Sequence, residues 1–306
     1  MDVAAPVAAA GRGDLVAILG RWGEGARRDL GWRRTRDPWA VLVAEVMLQQ
    51  TQVARVEPVW HRFLERFPDP ASCAAGGVAE VVAAWAGLGY NRRAVSLHRA
   101  AAAIVERHGG RVPADLAALE ALPGIGAYTA RAVLAFAFER DVGVLDTNAA
   151  RVLARAAVGR RLGRGEAQSL ADGLVPPGGG WAWNQTVLDL GATVCTARRP
   201  GCERCPLAGA TCRWHAAGRP EPDPAVGTAG ASGRQAPFDG SDRQGRGRLV
   251  AALRLGSLPA GALAAAAGWP GDHARAASVA AGLVRDGLAT VDAAGTLRLP
   301  PAGRPG

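Results

Sequence analysis

The chain has 306 residues, 49% of them hydrophobic, enough to fill a packed core in one large or two to three modest domains of a globular protein. Its longest apolar runs, such as Ala40 to Val46, fall far short of the ~18 to 20 residues a membrane span requires, and the opening MDVAAPVAAAGRGD has no signal-peptide pattern, so a cytoplasmic enzyme or binder is expected. The formal net charge of +9 favours a polyanionic partner, nucleic acid before a membrane surface, and the Lys+Arg total of 36 is all arginine, which excludes a lysine Schiff base and leaves only the terminal amine for such chemistry.

Residues 1–13 are expected to be disordered, and helical periodicity then runs from about Asp14 to Leu190 with no alternating strand pattern. Within it, Glu45 stands in AVLVAEVML, an acid among Val43, Ala44, Val46, Met47 and Leu48. A carboxyl in so apolar a setting should have a raised pKa, which a proton donor working near neutral pH needs; the alternative is one polar position on a helix surface. Cys73 reads as a small buried hydrophobe. In LEALPGIGAYTARAVLAFAF, Leu116, Leu119 and Leu122 form a stripe before the turn, and Ala130, Val133, Leu134 and Ala137 form one after it. Two helices therefore meet at Pro123 to Gly126, where Gly124 and Gly126 can bring backbone N–H groups within reach of an anion. Some twenty residues on, VLDTNAARVLAR places Asp146 at a helix start, a position where aspartate serves most often as a plain N-cap.

Four of the five cysteines, Cys195, Cys202, Cys205 and Cys212, follow a C-x6-C-x2-C-x6-C spacing. Four thiolates so placed can hold a tetrahedral zinc or a [4Fe-4S] cluster; the single C-x2-C pair and Pro206 after the third cysteine favour the cluster. Arg198, Arg199, Arg204 and Arg213 interleave with them, so this loop could rest on phosphates or be a solvated basic loop. Residues 219–241, rich in Pro, Gly, Ala and Ser, read as a linker. Residues 242–302 suggest two short helices, a longer third and a hairpin turning at Ala294 and Gly295, the order of a small winged-helix-like module; a merely helical tail is the alternative.

Taken together, WRRTRDPWAVLVAEVMLQQTQVARV, GLGYNRRAVSLH, LPGIGAYTARAV, LDTNAARVLAR and NQTVLDLGATVCTARRPGCERCPL resemble the helix-hairpin-helix DNA glycosylases that end in a [4Fe-4S] loop, the endonuclease III and MutY superfamily, and most of all its MutY branch. The resemblance covers roughly Leu15 to Ala217. It implies an all-α fold, a six-helix barrel plus an iron-sulfur cluster domain over residues 14–218, followed here by the linker and the small α+β module. The MutY branch usually carries a Nudix-like C-terminal domain where this chain has the shorter, winged-helix-like pattern. The endonuclease III branch carries a lysine at the position of Tyr128, and the departure agrees with a chain that has no lysine.

By the same resemblance, Glu45 protonates adenine N7 and then activates water, while Asp146 stabilises the oxocarbenium-like sugar. Tyr128 and Asn148 orient these groups or the deoxyribose. Gln50 and Thr51 fill the stack vacated by a flipped base, with Tyr90 beside the opposite base; the family's usual second tyrosine is Asn91 here. Arg33 and Gln185 lie near the flipped base, and Trp32 walls its pocket. The expected activity is monofunctional excision of adenine opposite 8-oxoguanine or guanine in double-stranded DNA, by a nucleoid-associated monomer holding a [4Fe-4S] cluster. Thr147, where glycine is commoner in the branch, keeps open a thymine or uracil mismatch glycosylase of the same fold, and a non-catalytic DNA-binding iron-sulfur scaffold is the third reading.

Overall fold

Alanine-rich segments punctuated by Gly and Pro fold as a succession of helices, as the periodicity requires. The computed structural model describes residues 9–209, 211–229 and 237–301. Helix α1 spans Ala9–Ala26, so residues 9–13, expected to be disordered, belong to its first turns; the strong helix propensity of alanine outweighs the two glycines there. The remainder of that expected disorder lies outside the described residues. The chain divides into two compact units, Met1–Arg36 with Ala130–Gly233, and Asp37–Thr129 with Arg234–Gly306. Each is therefore assembled from two stretches of sequence, a division that the linear boundaries at 218 and 241 did not anticipate.

The second unit is built from α2 (Pro38–Leu48), α3 (Val53–Arg66), α4 (Pro70–Ala75), α5 (Gly77–Ala84), α6 (Arg92–His108) and α7 (Leu116–Glu120). Asp37 caps α2 by accepting from Trp39 N, with Pro38 at the first helical position, and α2 then buries every residue from Trp39 to Met47. Indole donors close the core: Trp39 Nε1 donates to Phe67 O at 2.9 Å and Trp60 Nε1 to Ala40 O at 2.8 Å. Cys73 is fully buried on α4, and desolvation pushes its thiol up to about 12, so it behaves as the hydrophobe expected. Helix α8 spans Ala127–Phe136.

The first unit packs α1 on α11 (Gly180–Thr193) and α11 on α9 (Thr147–Val152). Helix α9 continues as a widened π-type segment, Leu153–Val158, followed by α10 (Arg164–Leu174) and, past the cysteine loop, α12 (Arg213–Ala216). Gly191 of α11 lies against α9, where a Cβ would stand 2.7 Å from Asn148 Cβ. The first part of the expected linker is packed on this unit: Thr228 Oγ1 accepts from Leu162 N at 2.9 Å, and Asp223 receives Arg155 Nε at 2.9 Å. Residues 230–236 lie outside the described residues.

The C-terminal module has the expected order. It consists of α13 (Asp242–Leu253), α14 (Leu263–Ala267), α15 (His273–Arg285) and an antiparallel pair, β1 (Thr290–Val291) with β2 (Leu297–Arg298), turning at Gly295, whose φ is +77°. Leu258 bridges to Leu297 and widens this small wing, and Leu249, Ala276, Leu283 and Leu288 fill the core beneath it.

Candidate active site

Glu45 sits on α2 at 4% exposure, flanked on all sides along the helix by buried apolar residues. The surface alternative is thereby removed. Tyr128 is half-buried in the first turn of α8, past the hairpin turn in which Leu122 and Ile125 are buried. Gly124 has φ +78°, and a Cβ there would stand 2.5 Å from Ser96 Cβ, so this glycine is required both by its conformation and by packing on α6. Gly126 is exposed with nothing within 4 Å, which leaves its backbone open to an incoming group.

Gln50 and Tyr90, one expected in the vacated stack and the other beside the opposite base, share a physical peculiarity. Gln50 (φ +57°) and Tyr90 (φ +45°) are two of four non-glycine residues with positive φ among the described residues. Such conformations cost ~1–3 kcal/mol each and persist where the surroundings over-determine them. Arg93 supplies that determination. Its Nη1 donates to Val46 O, Met47 O and Gln49 O at 2.9, 2.7 and 2.5 Å, and its Nη2 to Thr51 Oγ1 at 2.8 Å and Gly89 O at 3.2 Å. One buried guanidinium thus closes the carbonyl end of α2 and ties the Gln50–Thr51 turn to the Tyr90 loop, with its charge over the Trp85 and Tyr90 rings. Burial lowers its pKa to about 10, still cationic at neutral pH. Gln50 and Tyr90 are exposed.

In the first unit, Asp146 caps α9, its Oδ1 accepting from Asn148 N and Ala149 N at 2.7 Å each. Asn148 Nδ2 donates to Asp146 Oδ2 at 2.7 Å, and Asn148 Oδ1 accepts from Arg151 Nη2 at 2.7 Å. The N-cap and the oriented carboxylate are therefore the same residue in the same pose. Desolvation raises the Asp146 pKa above its ordinary value, opposed by those hydrogen bonds and by the Arg151 charge. The segment entering the cap is fixed by Asn184, whose Nδ2 donates to Val142 O and whose Oδ1 accepts from Val144 N, both at 2.8 Å.

Arg33 and Gln185 are both buried. The guanidinium of Arg33 is engaged inside the protein, with Nη1 and Nη2 donating to Asp189 Oδ2 and Oδ1 at 2.7 and 2.9 Å, so it acts as a buttress of α11 in this structure. Trp32 is buried beside it in sequence. The motif that suggested Arg33 gave no sign of this, because its partner Asp189 lies in a distant α11 segment whose LDLG pattern shows only an acid between two leucines.

The four cluster cysteines are free thiols lining one pocket, together with Leu190, Val194, Leu207 and Trp214. Cys212, beyond the second x6 gap, is part of that wall. Among the described residues no three Cys, His, Asp or Glu side chains converge tightly enough to clasp a single ion. Burial pushes the thiols of Cys195, Cys205 and Cys212 up, Cys205 to about 11, so a bound cation would be needed to hold them as thiolates. Two arginines tie the loop to α9 and its π-type continuation: Arg151 Nε donates to Cys195 O at 2.7 Å, and Arg155 Nη1 to Cys195 Sγ at 3.4 Å and Thr196 O at 2.8 Å. Arg198, Arg199, Arg204 and Arg213 are exposed around it.

Comparison with known proteins agrees with this geometry. Residues 43–177 match the model of the HhH-GPD superfamily of base excision DNA repair proteins. The adenine DNA glycosylase of Mycolicibacterium smegmatis is 42% identical over 290 residues, covering 93% of this chain and 96% of that protein. The adenine DNA glycosylase of Mycobacterium tuberculosis H37Rv is 40% identical over 294 residues, covering 92% of each. Among solved structures, a thermostable thymine-DNA glycosylase superposes with a TM-score of 0.63 at 28% identity, covering 69% of this chain and all of that one. The chain belongs to the HhH-GPD superfamily of base excision DNA repair proteins, in its MutY-type branch.

Proposed function

We propose that the chain is a monofunctional adenine DNA glycosylase of base excision repair that removes adenine opposite 8-oxoguanine or guanine. The observation that carries the reading is Glu45, a carboxyl at 4% exposure on an otherwise wholly apolar α2, in a chain without lysine. Similarity to the mycobacterial adenine DNA glycosylases over more than nine-tenths of the chain supports the substrate base.

The adenine is flipped from the duplex at a cost of a few kcal/mol, with Gln50 and Thr51 filling the opened stack and Tyr90 beside the opposite base. Glu45 gives its proton to N7 of the base, and the C1′–N9 bond breaks with its electron pair passing to the departing, neutral adenine. The ionised Asp146, held by the Asn148 side chain, stabilises the cationic sugar. Glu45, now a carboxylate, takes a proton from the water that attacks C1′, which restores the acid and leaves an abasic site. With no lysine amine available, no Schiff base forms and the strand stays intact.

Cys195, Cys202, Cys205 and Cys212 would hold a [4Fe-4S] cluster, which would supply a structural tie for the basic loop. The single C-x2-C pair and Pro206 after the third cysteine favour a cluster over a single zinc ion.

Purified protein incubated with A:8-oxoG, A:G, T:G and U:G duplexes, with and without hot alkali, tests the reading. Adenine release with strand scission only after alkali is expected. Scission without alkali contradicts the monofunctional step, and preference for T:G moves the chain to the thymine branch. Glu45→Gln should abolish release and leave duplex binding intact; full activity in that variant overturns the proton-donor role.

A further inference from the structure

The chemistry above uses nothing beyond residue 229, yet the C-terminal module lies in the same compact unit as the Tyr90 loop. Helix α13 ends on Arg254, whose Nε and Nη2 donate to Val82 O at 3.1 and 3.0 Å. The same Nη2 donates to Asn91 Oδ1 at 3.1 Å. Further along, Gly287 follows α15 with φ +73°, and a Cβ there would stand 2.7 Å from Arg99 Nη2 and 3.5 Å from Val95 Cγ1. The module therefore touches the last turn of α5 and the first two turns of α6, the two helices whose connection carries Tyr90.

Both acceptors of Arg254 are neutral, and burial lowers its pKa. A guanidinium partly withdrawn from water onto neutral oxygens adds little net stability. Its planar fork does fix geometry, because one rigid group is tied to two chain segments at once. The segment it spans contains Gly87, Gly89 and Tyr90, all with positive φ. Arg93 determines that strained loop from within, and Arg254 determines it from the module. Asn91, standing where the MutY branch usually has its second tyrosine, supplies the amide oxygen that makes the link.

We propose that the C-terminal module braces the Tyr90 loop, with Arg254, acting through Asn91 and Val82, as a positioning residue that sets Tyr90 against the base opposite the excised one. The proposal rests on the reading of Tyr90 as a DNA contact.

Full-length Arg254→Ala, Asn91→Ala, Tyr90→Ala and the Arg254→Ala/Tyr90→Ala double variant are compared by single-turnover release from A:8-oxoG duplex and by hydrogen exchange over residues 86–93. Arg254→Ala should slow release about tenfold, yet by less than about twofold once Tyr90 is already alanine, the non-additivity of groups acting as one unit. Exchange over 86–93 should quicken several-fold, with the hairpin over 116–126 unchanged. Asn91→Ala removes only the side-chain acceptor and should show the same pattern in weaker form, which guards against an Arg254 variant that fails to fold. Additive losses, or unchanged exchange over 86–93, overturn the brace. If Tyr90→Ala alone reacts at the wild-type rate, the reading of Tyr90 as a DNA contact falls, and with it the catalytic purpose of the brace; exchange then shows only whether the module holds the loop.

Discussion

Asp189→Asn tests the assignment of Arg33 to the fold. The carboxylate of Asp189 is fully buried and accepts from Arg33 Nη1 and Nη2 at 2.7 and 2.9 Å, and from Arg28 N and Nε at 2.8 and 2.6 Å. Burial opposes its charge, but the Arg33 hydrogen bonds and charge, with the Arg28 donors, together hold the carboxyl below the usual range. The amide removes the negative charge and one acceptor, leaving Arg33, at 9% exposure, a buried cation whose intact oxygen partner is Arg28 O at 2.9 Å. Breaking a buried pair costs about 3–5 kcal/mol. Arg28 is about a third exposed and can turn to water, so its share is discounted and the low end, about 3 kcal/mol, is expected. At ~2–4 °C per kcal/mol this lowers Tm by about 6–12 °C at pH 7. Because the folded pKa is depressed, the carboxylate's stabilisation is complete above the unfolded value of about 3.9 and is lost as pH falls from there through the folded value. The gap between wild type and variant should therefore stay constant from pH 7 to about 5 and narrow only below about 4. Melting curves by circular dichroism across that range provide the measurement. A loss under about 1 kcal/mol at pH 7, or a gap that closes between pH 7 and 5, refutes the assignment.

Three further outcomes are expected. Gly124→Ala forces an L side chain into left-handed backbone and against Ser96 Cβ at 2.5 Å, costing about 2–4 kcal/mol in denaturant unfolding, whereas Gly126→Ala meets nothing and should change stability by less than about 0.5 kcal/mol while weakening duplex binding. Unchanged binding in Gly126→Ala would remove this glycine from the DNA contact. Since desolvation raises the Asp146 pKa, the acid limb of the rate profile should lie above the ordinary aspartate value; Asn148→Ala deletes a hydrogen bond that lowers it and should move the limb to higher pH. A limb that stays in place or moves down would separate Asn148 from that carboxylate. Gly191→Ala places a Cβ 2.7 Å from Asn148 Cβ and 2.8 Å from its carbonyl oxygen, and should depress both Tm and base release, because α11 can relieve the clash only by pushing on the Asp146 cap. Loss of Tm with wild-type release would show that the cap tolerates the shift.

The helices and the order of chemical groups were legible in the sequence because local rules govern them. The apolar run around Glu45 gave its burial, the LDTN pattern gave Asp146 as an N-cap, and the hairpin turn in the last module falls on Gly295 as its sequence predicts. The division into two units was not legible, since each joins stretches separated by about a hundred residues, and no local pattern marks which stretches will meet.

The arginines show the same limit at the level of single side chains. Arg92 and Arg93 are adjacent and chemically identical, yet Arg92 is exposed while Arg93 lies buried between the Gln50–Thr51 turn and the Tyr90 loop. A charge in a helical pattern is assigned to the solvent face because an unpaired buried cation is costly. What reverses that rule at Arg93 is the bared carbonyl end of α2, and at Arg151 the carbonyls of Gly191 and Cys195 together with the Asn148 amide. These acceptors are backbone or amide oxygens gathered from distant segments, so no acidic residue in the sequence advertises them. A guanidinium can serve several such oxygens at once, which a lysine ammonium with its compact charge does less well. The all-arginine composition is therefore suited to the interior task of holding irregular backbone in place.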